Sequence, residues 1–81
     1  MPPRADIRVA IIDHLWQNGP TTLSNLTQMI WNEYKIHEEF QKPSKSRPAL
    51  TKWEIRVQEV VFELARWNSI QRIGQAVYDS H

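Results

Sequence analysis

The chain has 81 residues, a formal net charge of +1, 41% hydrophobic residues and no cysteine. This length accommodates one domain with one modest core, and the hydrophobic fraction excludes a disordered polar chain. Disulfides and cysteine-based zinc sites are excluded, and no run is apolar enough for a secretory signal or a membrane span, so we expect a soluble, cytoplasmic protein without a membrane partner.

The first half of the chain predicts two amphipathic helices. After a disordered lead over residues 1–5, we expect Asp6 to cap the first helix, which ends at Asn18-Gly19-Pro20. Thr21 or Thr22 is the expected cap of the second helix. The apolar positions are Ile7, Ala10, Ile11, Ile12, Leu15 and Trp16 in the first helix, and Leu23, Leu26, Ile30 and Tyr34 in the second.

The third predicted helix runs from Thr51 to Trp67. Its first residues, Thr51-Lys52-Trp53-Glu54, have the pattern of a capping box, in which a hydroxyl and a carboxylate satisfy backbone N–H groups. Asn68 tolerates the left-handed backbone that ends a helix. Its apolar stripe is Trp53, Val57, Val60, Val61, Leu64 and Trp67. We expect Trp16, Trp53 and Trp67 to be core residues.

A short hairpin pattern follows over residues 69–78. Ile73-Gly74-Gln75 is the predicted turn, because a tight turn favours glycine. We expect a short strand around Thr22 or Ile36 to pair with this hairpin. Three helices followed by a C-terminal β-hairpin predict a mainly α (α+β) winged helix-turn-helix, as a single domain over residues 6–81.

Basic residues are concentrated before and at the start of the third helix. Five of them lie between Lys42 and Arg56 against the single acid Glu54, a local excess of 5 − 1 = +4. One basic face on a nearly neutral domain is what phosphate binding requires. Recognition helices present their N-terminal residues to base edges, so Arg56 is the expected guanine contact and Lys52 lies beside it. The other expected DNA contacts are Lys42, Ser44, Lys45, Ser46 and Arg47 in the loop, and Arg72 and Gln75 in the hairpin.

The chain resembles the N-terminal winged-helix domain of modified-DNA restriction endonucleases of the Mrr type. The resemblance covers roughly residues 7–78 and lies in these short motifs: Asn18-Gly19, Ile36-His37-Glu38-Glu39, Pro43-Ser44, Arg56-Val57, Leu64, Asn68-Ser69-Ile70, Arg72 and Val77-Tyr78. Ala76 and Glu59 depart from the family pattern, in which glycine and an apolar residue are common. The resemblance implies a domain that binds double-stranded DNA, while a separate nuclease domain, which these residues do not include, cuts it. It suits a DNA-targeting domain as well as a transcriptional regulator.

A second interpretation is a protein-interaction or dimerisation module without DNA binding. Ile55 and Phe62 form an apolar pair opposite the buried stripe of the third helix, and Trp31 flanks the stripe of the second. Arg56 could then pair with Glu59 or Glu63 instead of DNA. The partner would be a second copy or a larger protein.

Catalysis is not expected. His37, Glu38 and Glu39 are adjacent on one turn and do not converge on a metal, and Ser44 and Ser46 have no nearby histidine. With two glycines, the chain has no glycine-rich nucleotide motif. We therefore expect no cofactor, metal or small-molecule substrate.

Overall fold

The computed structural model describes residues 2–34, Pro43 and residues 50–81. The strands of this part form one antiparallel sheet in the order β1-β3-β2. The elements are α1 (Arg4–Asn18), β1 (Thr21–Thr22), α2 (Leu23–Tyr34), α3 (Lys52–Arg66), β2 (Ile70–Gly74) and β3 (Val77–Ser80). The predicted α+β class with three helices and a C-terminal hairpin is confirmed, and the arrangement is compatible with a winged helix.

One core lies between the three helices and the sheet. α3 contributes the largest share of it, because its apolar residues share one side as the helical spacing predicts. The buried apolar residues are Ile7, Ile11 and Leu15 from α1, Leu26 and Ile30 from α2, Trp53, Val57, Val60, Val61 and Leu64 from α3, and Ile70 and Tyr78 from the sheet.

α1 begins earlier than predicted and has no side-chain cap. Its N-cap residue is Pro3, and Asp6 lies in the first turn, so the predicted lead is shorter by Arg4 and Ala5. Proline fits at this end because the first N–H groups of a helix have no helical partner. Gly19 ends the helix at φ 77°, and its N–H donates to Leu15 O at 2.8 Å.

β1 leads directly into α2. The hydroxyl of Thr22 accepts from the N–H of Asn25 at 3.1 Å, which confirms a threonine as the cap of α2. β1 pairs with β3 through Thr21↔Tyr78 and Thr22↔Val77. The predicted third strand is therefore confirmed at Thr22; the alternative, Ile36, lies outside the described residues.

Local hydrogen bonds close both ends of α3. The predicted capping box of Thr51 and Glu54 is present. Asn68 has φ 61°, as predicted, and its N–H donates to Ala65 O at 3.1 Å, while the N–H of Ser69 donates to Leu64 O at 2.9 Å. These two bonds form a Schellman motif, which satisfies the last carbonyls of the helix.

The predicted hairpin turn is wrong by about two residues. Gly74 belongs to β2, and the turn is Gln75-Ala76, with Ala76 at φ 53°. A register shift between Arg72 and Gly74 displaces the turn toward the C-terminus. The left-handed position therefore falls on an alanine, where it costs about 1–2 kcal/mol.

Two of the three tryptophans predicted to be core residues are exposed. Trp53 is 8% exposed, whereas Trp16 and Trp67 are 78% and 55% exposed. Trp16 projects from the side of α1 that faces away from the core. Trp67 is the C-cap residue of α3, where the helical spacing no longer sets the side-chain direction, and its ring lies 5.3 Å from the guanidinium of Arg8.

Candidate nucleic-acid interface

A groove of about 510 Å³ lies between α2, α3 and the hairpin turn. Ser24, Thr27 and Gln28 line it from α2, and Glu54 and Gln58 line it from α3. The hairpin turn closes one end. The groove therefore joins the first half of two helices to the tip of the hairpin.

The strand order places the hairpin turn beside α2. β1 precedes α2 without a break and pairs with β3, which follows the turn. The N–H of Leu23 donates to Ala76 O at 2.8 Å. This bond satisfies one of the free N–H groups at the start of α2 and holds the strained Ala76 in place.

The polar groups of this groove are mostly neutral, and they lie beside the apolar side chains of Leu23 and Trp53. Glu54 is the one charged residue on its wall, and its carboxylate accepts from the hydroxyl of Thr51 at 2.8 Å. The remaining polar groups are hydroxyls and side-chain amides, which both donate and accept. A glutamine amide can form two hydrogen bonds to the edge of an adenine, so this groove has the chemistry to contact base edges.

Lys52 and Arg56 lie on a different side of α3 from the groove. They are spaced i, i+4, i+7 and i+11 with Glu59 and Glu63, so these four residues share one line along the helix. Lys52 and Arg56 are both half-buried. Among the described residues Arg56 makes no ion pair, and the alternative prediction that it pairs with Glu59 or Glu63 is wrong.

The two glutamates pair instead with arginines of α1. Arg4 contacts Glu59 at 3.2 Å and Glu63 at 3.8 Å, and Arg8 contacts Glu63 at 3.5 Å. Because α1 and α3 are far apart in sequence, the helical spacing of α3 alone could not reveal these pairs. Their consequence is that α1 compensates the two negative charges that α3 would otherwise present to a phosphate backbone.

The hairpin holds two of the predicted DNA contacts, both exposed. Arg72 lies in β2, and its Nε donates to Gly74 O at 3.0 Å. Gln75 lies in the turn itself, next to the end of the groove. The loop residues predicted to contact phosphates lie outside the described residues: Lys42, Ser44, Lys45, Ser46 and Arg47.

The residues predicted for a protein interface are not equally accessible. Phe62 is 44% exposed, and Ile55 is half-buried on the same side of α3. Trp31 is half-buried with its ring centroid 5.2 Å from that of Trp53, so it packs against the core. The structure therefore leaves Phe62 as the large apolar side chain that projects from α3.

The α2 wall of the groove could not be recognised from the amino-acid sequence. Ser24, Thr27 and Gln28 have no charge and no motif, and neutral polar residues on a helix normally predict a solvent-facing side. Only the pairing of β1 with β3 brings them next to the hairpin turn. No signal within α2 itself could have singled them out.

No protein family, curated protein or solved structure matches this chain. Within residues 2–34 and 50–81, no three acidic or histidine side chains come together as metal ligands would. None of the helices in this described part has the length and apolar character needed to cross a bilayer. Any function must therefore be argued from the chain's own residues.

Proposed function

We propose that this chain is a winged-helix module that binds double-stranded DNA, as a small transcriptional regulator or a DNA-targeting domain. The observation that carries the proposal is the strand order β1-β3-β2 with β1 between α1 and α2. This order puts the hairpin turn beside the first half of α2 and α3, so one helix and one hairpin can approach a duplex together.

In this proposal the first half of α3 lies in the major groove. Ile55 faces outward, with Arg56 toward one side of the helix and Gln58 toward the other. Arg56 is suited to guanine, Gln58 to adenine, and Ile55 to the methyl group of thymine. Within one turn, α3 would thus carry side chains suited to three different bases.

The phosphate contacts flank this helix. Lys52 lies one turn before Arg56, and Arg72 and Gln75 extend from the hairpin. The loop cations Lys42, Lys45 and Arg47 would add contacts, with the hydroxyls of Ser44 and Ser46 beside them. The ion pairs of Glu59 and Glu63 with α1 support the proposal, because they reduce the repulsion between α3 and a phosphate backbone.

Fluorescence anisotropy with a random-sequence duplex at several salt concentrations tests the proposal. Six lysines and arginines are assigned to the DNA face, so the logarithm of the affinity should fall with the logarithm of the salt concentration with a slope of about −5. No binding at low salt would overturn DNA binding by this chain.

Three alanine variants test where the DNA lies. Arg56→Ala should relax base preference by about 1–3 kcal/mol, whereas Lys45→Ala should weaken binding to all sequences alike. Arg66→Ala is the matched control. Arg66 lies in the last turn of α3, so this substitution removes one positive charge from the same helix but outside the proposed DNA face. Equal losses for Arg56→Ala and Arg66→Ala would contradict the assigned face.

A protein-interaction module is the second candidate, and the exposure of Phe62 favours it. An apolar side chain of this size in the centre of an outward helix face is typical of a contact with another protein. Under this alternative the duplex titration gives no binding at low salt. A photo-cross-linking amino acid in place of Phe62 would then identify the partner.

A further inference from the structure

α1 carries a second apolar stripe that the core does not use. Val9, Ile12 and Trp16 are 59%, 37% and 78% exposed, and Ala5 precedes them on the same side. The stripe that faces the core, Ile7, Ile11 and Leu15, is fully buried. α1 is therefore apolar on two sides, and only one of them is covered.

The exposed stripe has the spacing of a helix-pairing seam. Residues 5, 9, 12 and 16 recur at intervals of four, three and four, which is the alternation that places side chains along the contact line of two paired helices. Scattered exposed apolar residues are ordinary, but a contiguous row ending in an exposed tryptophan marks an interaction surface. The occupant that such a seam fits is another helix of the same kind.

Charges of opposite sign flank the seam. Arg4 and Arg8 lie on the side toward α3, and Asp6 and Asp13 lie on the other side, toward α2. When two identical helices pair in parallel, the flank of one meets the opposite flank of the other, so Arg8 would meet Asp13 of the second copy. An antiparallel pair would instead bring the aspartates of both copies together. The charges therefore complement a second copy of α1 in the parallel orientation.

Arg8 is able to make this contact. Its side chain is 32% exposed, so part of the guanidinium can be reached from outside although Nη2 also lies 3.5 Å from the Glu63 carboxylate. The Nε is buried and takes no part in this contact. The guanidinium also lies 5.3 Å from the exposed ring of Trp67. The surface beside the seam thus continues from α1 onto the end of α3.

We propose that this chain forms a homodimer through α1, with the two α1 helices parallel across a two-fold axis. Val9, Ile12 and Trp16 of each copy form the apolar contact, and Arg8 pairs with Asp13 of the second copy. This inference does not rest on DNA binding, because none of these residues belongs to the proposed DNA face.

Sedimentation equilibrium of the full chain over a wide concentration range is the first test. The expected mass approaches twice the 9.6 kDa of one chain as the concentration rises. A mass of one chain at every concentration would overturn the proposal, whatever the outcome of the DNA titration.

Two exposed substitutions test whether α1 is the contact. Trp16→Gln should weaken self-association by at least about tenfold, since buried tryptophans dominate the energy of interfaces. Ile73→Gln is the matched control, because Ile73 is 50% exposed on the hairpin and its loss should leave the dimer unchanged. Circular dichroism checks that both variants keep the helical signal. Dissociation by Ile73→Gln, or a dimer unaffected by Trp16→Gln, would overturn α1 as the contact.

A single cysteine tests the orientation. The chain contains no cysteine, so a thiol at Ala5→Cys is unique. In a parallel pair the two copies of residue 5 face each other, and a disulfide-linked dimer should form readily in an oxidising glutathione buffer. Gln17→Cys, on the side of α1 toward α2, should remain reduced. Failure of Ala5→Cys to cross-link while the chain sediments as a dimer would overturn the parallel arrangement.

Discussion

α1 and α3 are each fifteen residues long, but they use their apolar residues differently. α3 buries a single stripe, and its own sequence closes both ends through the capping box and the Schellman motif. α1 has no side-chain cap at its start and exposes a second stripe as large as the one it buries. The structure of α3 is therefore specified by its own sequence, whereas α1 depends on tertiary contacts and carries apolar surface beyond what the core requires.

The largest expected effect separates the two sides of α1. Ile11→Ala should lower the free energy of unfolding by about 3 kcal/mol, because it leaves a cavity at a fully buried position. Trp16→Ala should change the free energy of unfolding by less than about 0.5 kcal/mol. The indole of Trp16 is larger than the side chain of Ile11, but it already lies in solvent. Urea unfolding of both variants, at protein concentrations where the chain is monomeric, measures the difference. Similar losses would mean that the second stripe is covered within the monomer.

The ends of the two helices provide the next contrast. Gly19→Ala, after α1, should cost about 2 kcal/mol, because φ 77° with ψ −156° is almost restricted to glycine. No atom lies within 4 Å of the added Cβ, so the cost would be backbone strain alone. Asn68→Gly, after α3, should be neutral or stabilise by up to about 1 kcal/mol. Thermal unfolding of the two variants measures both changes in stability. If Gly19→Ala left the stability unchanged, the backbone at Gly19 would not be strained by a side chain.

The N-terminal caps should respond in opposite directions. Thr51→Ala removes the hydroxyl that accepts from the N–H of Glu54 and should cost about 1 kcal/mol. Pro3→Ser adds an acceptor at the uncapped start of α1 and should stabilise by about 0.5 kcal/mol. Urea unfolding measures both, and a loss of stability in Pro3→Ser would show that α1 needs the rigid proline more than a cap.

The smallest expected effect depends on pH at Tyr34, the last residue of α2, whose hydroxyl donates to Asp6 O of α1 at 3.4 Å. Burial raises the pKa of the Tyr34 phenol above 10.0, and the negative charges of Asp6 and Glu33 raise it further. A raised pKa means that the folded state holds this proton more tightly, so the contribution is complete below pH 10 and is lost as the pH rises through the pKa of Tyr34. Tyr34→Phe should flatten the alkaline decline in stability measured by urea unfolding. If Tyr34→Phe left the alkaline decline unchanged, groups other than Tyr34 would be responsible for the loss of stability.

The features predicted correctly from the sequence are those that depend on residues close together in the chain. The capping box, the left-handed Asn68 and the buried stripe of α3 all depend on residues within one or two turns of each other. The hairpin turn did not follow from the glycine, because the pairing of β3 with β1 and the bond from Leu23 to Ala76 set its position. The exposure of Trp16 could not be predicted from the sequence either. α1 has two apolar sides, and nothing in its own sequence shows which of them the core will cover.

The candidate site was predictable only in part. Arg72 and Gln75 were placed correctly on the hairpin, but the order of the strands, rather than any motif, brings the hairpin turn to α2. Lys52 and Arg56 were expected on the DNA face of the third helix, and the side of α3 that faces the hairpin turn carries Glu54 and Gln58 instead. Helical spacing gives relative directions around an axis, and a sequence contains no reference that orients this axis against the rest of the fold.

The position of β3 has a consequence for the order in which the protein can assemble. This strand is the middle one of the sheet, yet Val77–Ser80 follows every other element along the chain. During synthesis α1, α2 and α3 leave the ribosome before the strand on which β1 and β2 both pair. β1 and β2 each pair with β3 and not with each other, so no part of the sheet can form until Val77–Ser80 has been synthesised.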